Sequence, residues 1–185
     1  PTEVATFHIF DVNRSSSFRP VMKYAPSQAL PIALSQYAPG KQVWVANKCY
    51  TSGAIYSPIP DERLTAWKNK RVYFECTECG FGKTEHFSER MNKEPRDCEA
   101  CLSELTFKPK QWLRPPGFAH PISSPEETSP ENVPETSYAT RAKLQIPFRE
   151  DEKWVKINDS IWALPNRPHL LVTNSGPAEK GYDYC

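Results

Sequence analysis

The sequence predicts a mainly β protein, an α+β fold with few short helices and small antiparallel sheets. The chain has 19 prolines in 185 residues, about twice the usual frequency of ~5%. Proline at this frequency leaves little room for long helices. Only 38% of the residues are hydrophobic, and the apolar runs are short and often alternate with polar residues, as strands do.

The first segment, residues 1–70, is predicted to be rich in strands. A hairpin is expected to turn at Ala46-Asn47, because alternating apolar residues flank that pair on both sides. The predicted strands are Thr6–Phe10, Val43–Val45, Lys48–Tyr50 and Ala54–Tyr56.

One short helix is predicted in the same segment, over Ser27–Tyr37, with Ser27 as its cap. The segment also holds an isolated cysteine, Cys49. A buried apolar thiol is the favoured role for Cys49, because free cysteine is among the most buried residue types.

Two thiol pairs carry the clearest chemical signal. Cys76 and Cys79 form one C-x-x-C motif and Cys98 and Cys101 form another, with eighteen residues between the two motifs. This spacing is typical of zinc sites. Four thiolates fill a closed tetrahedral site and leave no position for water, so the predicted zinc is structural and not catalytic.

Two other interpretations of the cysteines compete with zinc. Disulfides require an oxidising compartment, and no apolar signal segment is seen. A redox C-x-x-C normally begins a helix in a βαβ pattern, whereas strand-like residues flank both pairs here. A zinc site with reduced thiols, in a cytoplasmic protein, is therefore favoured. His86 lies between the pairs, but four cysteines already complete the coordination, so a surface histidine is expected.

The segment around these cysteines, residues 71–121, is predicted to be a zinc ribbon and its exit segment. Arg71–Glu75 and Lys83–Phe87 are expected to form a hairpin, and Leu105–Phe107 a third strand. Residues 122–141 are rich in proline and glutamate and are predicted to be a linker or insertion. Residues 142–185 regain strand signals and are expected to pack with residues 1–70. The predicted strands there are Lys143–Phe148, Trp154–Ile157 and His169–Thr173.

Basic residues flank the predicted ribbon and suggest the hypothesis that this region contacts DNA. The net charge of +1 gives no overall attraction to nucleic acid, so any contact depends on a local patch beside aromatic side chains. Trp67 and Phe107 are further candidate stacking surfaces. A solvated charged surface is the competing interpretation. The candidate DNA-binding residues are Lys68, Lys70, Arg71, Lys108, Lys110, Trp112 and Arg114.

Several motifs, in this order, resemble one protein family. They are YAPG at 37–40, YTSGAI at 50–55, the two C-x-x-C pairs, WLRPPGFA at 112–119 and LLVTNSG at 170–176. Together they resemble the C-terminal zinc-containing domain of unknown function that accompanies DEAD/DEAH-box helicases, especially the DrmB-like proteins of DISARM anti-phage defence.

This resemblance implies a helicase partner, fused or separate, and zinc bound by Cys76, Cys79, Cys98 and Cys101. The family usually continues past the final glycine-rich turn into another C-x-x-C. This chain ends at Cys185, so a fragment of a longer protein is expected.

No catalytic motif is found in the sequence. The four histidines form no metal-spaced pair, and neither H-E-x-x-H nor G-x-S-x-G occurs. No run approaches the 18 apolar residues of a membrane span. The predicted function is a non-catalytic zinc module that contacts DNA and a helicase in anti-phage defence. The alternative is a protein–protein scaffold with a structural zinc ribbon and no nucleic-acid contact.

Overall fold

The computed structural model describes residues 3–16, 18–88, 94–124, 141–144, 155–163 and 170–182. These residues form mostly short strands with two short α-helices, which confirms the predicted fold class. The chain divides into two compact units. The first unit comprises Pro1–Lys68, Arg114–Arg141 and Thr173–Cys185, and the second comprises Asn69–Leu113 and Ala142–Val172.

A small mixed sheet organises the first unit. Its central strand β1 (Val4–Phe10) pairs antiparallel with β2 (Met22–Tyr24) and β3 (Ser27–Ala29). Strand β1 also pairs in parallel with the later strand β10 (Phe118–Ala119), and β10 pairs with β6 (Ala54–Ile55). The buried side chains beneath the sheet are mostly aromatic, and they include Phe7, Ile9, Tyr37, Tyr50 and Phe118.

Helix α1 (Leu30–Gln36) is shorter than predicted. The expected cap, Ser27, instead lies in β3, where its hydroxyl is 2.8 Å from the hydroxyl of Thr6. The helix is preceded by Ala29, which makes no side-chain capping bond. The predicted cap was wrong because pairing with β1 holds residues 27–29 in an extended conformation.

The hairpin predicted at Ala46-Asn47 is confirmed. Strand β4 (Gln42–Val45) pairs with β5 (Lys48–Thr51), and both turn residues have positive φ, 50° and 61°. Two left-handed residues are what a two-residue type I′ turn requires. Cys49 lies in β5 with 1% of its surface exposed, as predicted.

Helix α2 (Pro60–Lys68) was not predicted. None of its residues is buried, so the apolar stripe that identifies most helices is missing. Its end signals are nevertheless present: Pro60 opens it, Asp61 and Glu62 lie in the first turn, and Lys68 lies in the last. These charges complement the helix dipole.

A three-stranded antiparallel sheet organises the second unit. Strand β7 (Arg71–Cys76) lies between β8 (Gly82–His86) and β9 (Phe107–Trp112). The third strand starts two residues later than predicted, since Leu105 has a φ of 52° that no strand accommodates. Phe74, Phe81 and Phe107 stack in the core of this sheet. Phe107 is only 1% exposed, so the suggestion that it stacks on nucleic acid was wrong.

The remaining strands are short. Strand β11 (Arg141–Leu144) pairs with β14 (Leu170–Thr173), and β12 (Val155–Lys156) pairs with β13 (Trp162–Ala163). A 3-10 turn spans Pro177–Glu179. Most of the predicted linker, residues 125–140, lies outside the described residues, as does Cys185.

The two units divide the chain differently from the sequence prediction in two places. The predicted ribbon segment included residues 114–121, but β10 lies there and pairs with β1 in the first unit. Residues 142–172 were expected to pack with residues 1–70, yet they group with the ribbon, where Lys143 forms an ion pair with Glu75. Among the described residues, no helix is long and apolar enough to cross a membrane.

Candidate metal centre and nucleic-acid interface

The fold brings the four cysteines of the two C-x-x-C motifs into one cluster. Their sulfur atoms all lie within 4.8 Å of one another. The Sγ atoms of Cys76 and Cys101 are 3.7 Å apart, as are those of Cys79 and Cys98. A tetrahedral site with metal–sulfur bonds of about 2.3 Å has sulfur–sulfur edges of about 3.8 Å. The cluster therefore has the size that a tetrahedral metal ion requires.

Both C-x-x-C motifs form the same type of turn, called here the first and second knuckle (residues 76–81 and 98–103). In each knuckle the residue after the second cysteine donates its N–H to the carbonyl of the first cysteine, at 3.1 Å and 2.9 Å. The first cysteine donates its own N–H to the carbonyl five residues on, at 2.9 Å and 3.0 Å. In each, the second residue after the first cysteine also donates its N–H to that cysteine's sulfur, at 3.4 Å. These bonds orient both sulfurs of a knuckle toward the same point.

The hydrogen bonds and burial also set the acidity of the thiols. Burial raises the pKa of Cys76. Hydrogen bonds from the N–H groups of Cys79 and Glu78 and with the Thr106 hydroxyl outweigh this effect and lower the pKa to about 6. Burial and the neighbouring thiols raise the pKa of Cys79 to about 12. Burial also raises the pKa of Cys98, whereas hydrogen bonds with Ser103 lower that of Cys101. Each knuckle thus pairs a more acidic thiol with a less acidic one, and a bound cation would favour the thiolate form of all four.

The geometry discriminates among the interpretations left open by the sequence. A disulfide requires sulfurs about 2.05 Å apart, and these four cysteines are free thiols. Neither knuckle begins an α-helix, as a redox C-x-x-C normally does. His86 lies on β8, is exposed and is not part of the cluster. Within the described ranges, the four cysteines are the one group of three or more acidic, histidine or cysteine side chains arranged to hold a metal.

Four of the seven candidate DNA-binding residues share one face of the ribbon sheet. Arg71 lies directly opposite Trp112, Lys110 opposite Tyr73, and Lys108 opposite Glu75. Directly opposed residues of antiparallel strands project from the same face of the sheet, and the opposite face carries Phe74 and Phe107. Lys108 and Lys110 are exposed. We call Arg71, Lys108, Lys110 and Trp112 the basic face.

Lys143 is a further cation beside the basic face, and the sequence pattern does not single it out. Its ammonium group forms an ion pair with Glu75 and lies 5.7 Å from the centre of the Tyr73 ring. Lys143 therefore balances the carboxylate opposite Lys108. No sequence signal links Lys143 to residues about seventy positions earlier, because only the pairing of side chains in the folded unit brings them together.

The other three candidates have different surroundings. The Lys70 ammonium lies 4.7 Å from the centre of the Phe87 ring. Arg114 forms an ion pair of 2.5 Å with Glu3. Lys68 and Arg114 belong to the first unit, so a single patch of all seven residues stays a prediction.

The chain is similar to one curated protein, the Druantia protein DruE of Escherichia coli strain UMEA 4076-1. The two sequences are 27% identical over 191 aligned positions, which cover 98% of this chain and 10% of DruE. The chain thus corresponds in length to about a tenth of that relative. No family model matches the chain, and no solved structure matches it.

Proposed function

We propose that the chain is a non-catalytic zinc-binding module of an anti-phage defence protein, and that it contacts DNA through the basic face. The observation that carries the proposal is the position of Lys108, Lys110 and Trp112 on one surface of a sheet whose end holds the four-cysteine cluster. The metal centre would fix the sheet, and the sheet would hold the cations in register.

Zinc is the ion that the donor set favours. Four thiolates in a tetrahedral arrangement select zinc or an iron–sulfur centre among biological metals. Structural zinc sites use four protein ligands at this spacing and contribute directly to folding. Cys76 and Cys98 are buried, while the knuckle N–H groups stabilise their thiolates, so the site suits a permanent structural ion.

The charges of the second unit support contact with a phosphate backbone. With Lys143 included, four cations and one carboxylate, Glu75, lie on and beside the basic face, and Glu75 pairs with Lys143. Trp112 lies at the end of this row, half-buried, where a base can stack on its exposed part. Cations beside an exposed aromatic side chain are the arrangement that holds unpaired nucleic acid.

The defence role rests on similarity. The Druantia protein DruE is an anti-phage defence protein, and the motifs in the sequence independently resemble a helicase-associated domain from another defence system. We therefore propose a helicase, fused or separate, as the partner of this module. Co-purification of a helicase with the natural protein, in extracts treated with nuclease, would test this partner apart from DNA binding.

One observation favours the scaffold alternative. Strand β9 is an edge of its sheet, and lysine and proline on an edge strand prevent pairing with other strands. The N–H and carbonyl of Phe107 bond to Arg96, away from β7. Pro109 lies two residues further along β9, so its backbone nitrogen also faces away from β7, toward the open edge of the sheet. Proline is tolerated there because no N–H is needed to pair with a neighbouring strand. Lys108 and Lys110 would then serve solubility.

Replacement of Lys108 and Lys110 by glutamine distinguishes the two functions. If both lysines contact phosphates, binding to a fluorescent single-stranded oligonucleotide should weaken. The slope of log K against log salt should also decrease by roughly 0.7 for each phosphate that a lysine no longer neutralises. Adding Arg114→Gln should change the slope further only if that side chain touches DNA as well.

A matched variant removes the same number of charges elsewhere. Lys83 and Lys156 belong to the same unit, and each is paired with a carboxylate, Glu99 and Asp159 respectively. Their replacement by glutamine should leave affinity and salt slope nearly unchanged. Equal behaviour of the two double variants, with intact metal content, would refute the DNA role and support the scaffold.

A further inference from the structure

Two leucines of the loop at residues 97–106, which runs through the second knuckle to β9, are both exposed and left-handed. Leu102 is 79% exposed with a φ of 59°, and Leu105 is 64% exposed with a φ of 52°. Side chains with a β-carbon disfavour this conformation, and a bulky residue that adopts it is uncommon. In the described part of the chain neither leucine side chain is buried, so packing does not offset the free-energy cost of the left-handed conformation.

The first knuckle shows that a leucine is unnecessary for the turn. Gly80 occupies there the place of Leu102, with a φ of 71°, and its N–H donates the equivalent hydrogen bond to the carbonyl of Cys76, the first cysteine of the knuckle. Glycine meets the same backbone requirement without strain. The leucine side chain at 102 is therefore explained by neither the metal site nor the turn.

The loop presents these leucines on a fixed backbone. The Leu105 N–H donates to the Asp97 carboxylate at 3.0 Å. The Ser103 carbonyl accepts hydrogen bonds from the Cys98 N–H and the Thr106 hydroxyl, both at 3.0 Å. A preorganised apolar projection loses little conformational entropy when it binds.

The charges around the leucines indicate the nature of the partner. Asp97 and Glu104 are exposed in the same loop, whereas Glu99, also exposed, is paired with Lys83. Asp97 and Glu104 would repel a phosphate backbone or an anionic lipid surface. A complementary surface is apolar at its centre and basic at its rim, as a groove of a protein can be.

We infer that Leu102 and Leu105 insert into an apolar groove of a protein partner, and that lysine or arginine side chains on the rim of that groove face Glu104. This surface is separate from the basic face proposed for DNA and does not depend on that proposal.

Site-specific photocrosslinking in the natural full-length protein tests the inference. A photoreactive phenylalanine analogue replaces Leu105, and a control analogue replaces Glu78, which is exposed on the first knuckle. The crosslinked peptides are identified by mass spectrometry after irradiation of the cells that make the protein. An adduct from position 105 should map to one protein surface with apolar residues and nearby lysine or arginine.

Substitutions of Leu102 and Glu104 test the apolar anchor and the charge separately. Leu102→Gly relieves the left-handed strain, so metal content should be retained while the adduct falls by about tenfold or more, as expected for loss of an anchoring side chain. Leu102→Asn, which also tolerates a positive φ, is the second variant if the glycine variant loses metal. Glu104→Lys should weaken the adduct, and Glu78→Lys should not.

Several results would overturn the inference. They are the absence of an adduct, an adduct unchanged by both Leu102 variants, and equal effects of the two charge reversals. An adduct to nucleic acid would assign the loop to DNA binding, and an adduct to a second copy of this chain would assign it to self-association.

Discussion

The Sγ atom of Cys79 lies 3.7 Å from that of Cys98, although the two residues are 19 positions apart in the chain. The two sulfurs meet because β7 leads into the first knuckle and the second knuckle leads toward β9, the strand that pairs with β7. Bringing the sulfurs together thus requires the ribbon sheet. The metal and the sheet should stabilise each other.

The purified chain should contain about one zinc ion per molecule, because four thiolates satisfy one tetrahedral ion. Cys79→Ser should lower the zinc content and unfold the ribbon, since metal binding and folding are coupled at such sites. Elemental analysis and circular dichroism would measure both. Cys49→Ser is the control, since Cys49 is buried outside the cluster and should not affect the metal. A metal-free protein with disulfides among the four cysteines would contradict the prediction.

The partly buried ion pair between Lys143 and Glu75 should stabilise the second unit. Its side chains are only 10% and 19% exposed, against 34% and 39% for Lys83 and Glu99. Lys143→Met removes the cation and leaves the carboxylate with the Tyr73 hydroxyl, which donates to it at 3.1 Å. The unit should therefore lose roughly 1–3 kcal/mol of stability in zinc-saturated denaturant titrations. Lys83→Met removes a more exposed pair and should cost about 0–1 kcal/mol. Equal losses would show that burial does not strengthen the Lys143 pair.

Trp112→Ala separates a role in DNA binding from a role in packing. If a base stacks on the indole, affinity for single-stranded DNA should fall by ~1–3 kcal/mol with little change in salt slope, since stacking releases no counterions. Trp44→Ala is the matched control, because Trp44 is 47% exposed on the β4–β5 hairpin. A lower melting temperature with unchanged DNA affinity would assign Trp112 to packing under the ribbon.

The first unit should lose stability as the pH falls below about 6.5. Burial lowers the pKa of His8 from its ordinary value in the folded state, whereas the unfolded chain binds a proton near pH 6.5. The unfolded state therefore binds more protons over this range, and acid favours it. Hydrogen exchange at the β1 and β10 amides between pH 7.5 and 5.5 would measure the loss. His8→Gln should reduce the pH dependence, and His86→Gln, at an exposed site, should not.

Local features followed from the sequence alone. The spacing of Cys76, Cys79, Cys98 and Cys101 predicted the metal cluster, because ligand type and turn geometry are encoded within a few residues. The hairpin at Ala46-Asn47 was predictable for the same reason. Helix α2 was missed since none of its residues is buried, and only its end charges distinguish it from a loop.

Pairings between distant residues required the folded chain. The parallel pairing of β1 with β10 joins Phe7 to Phe118, and no local pattern specifies a partner more than a hundred residues away. The same holds for Lys143 and Glu75. The sequence predicted one patch of seven DNA-binding residues, whereas strand register placed Arg71, Lys108, Lys110 and Trp112 on one face and buried Phe107 beneath them. Side chains alternate between the two faces of a strand, so the face on which a residue lies is known only once the strand's pairing partner and register are known. The partner and register depend on which side chains the whole core buries.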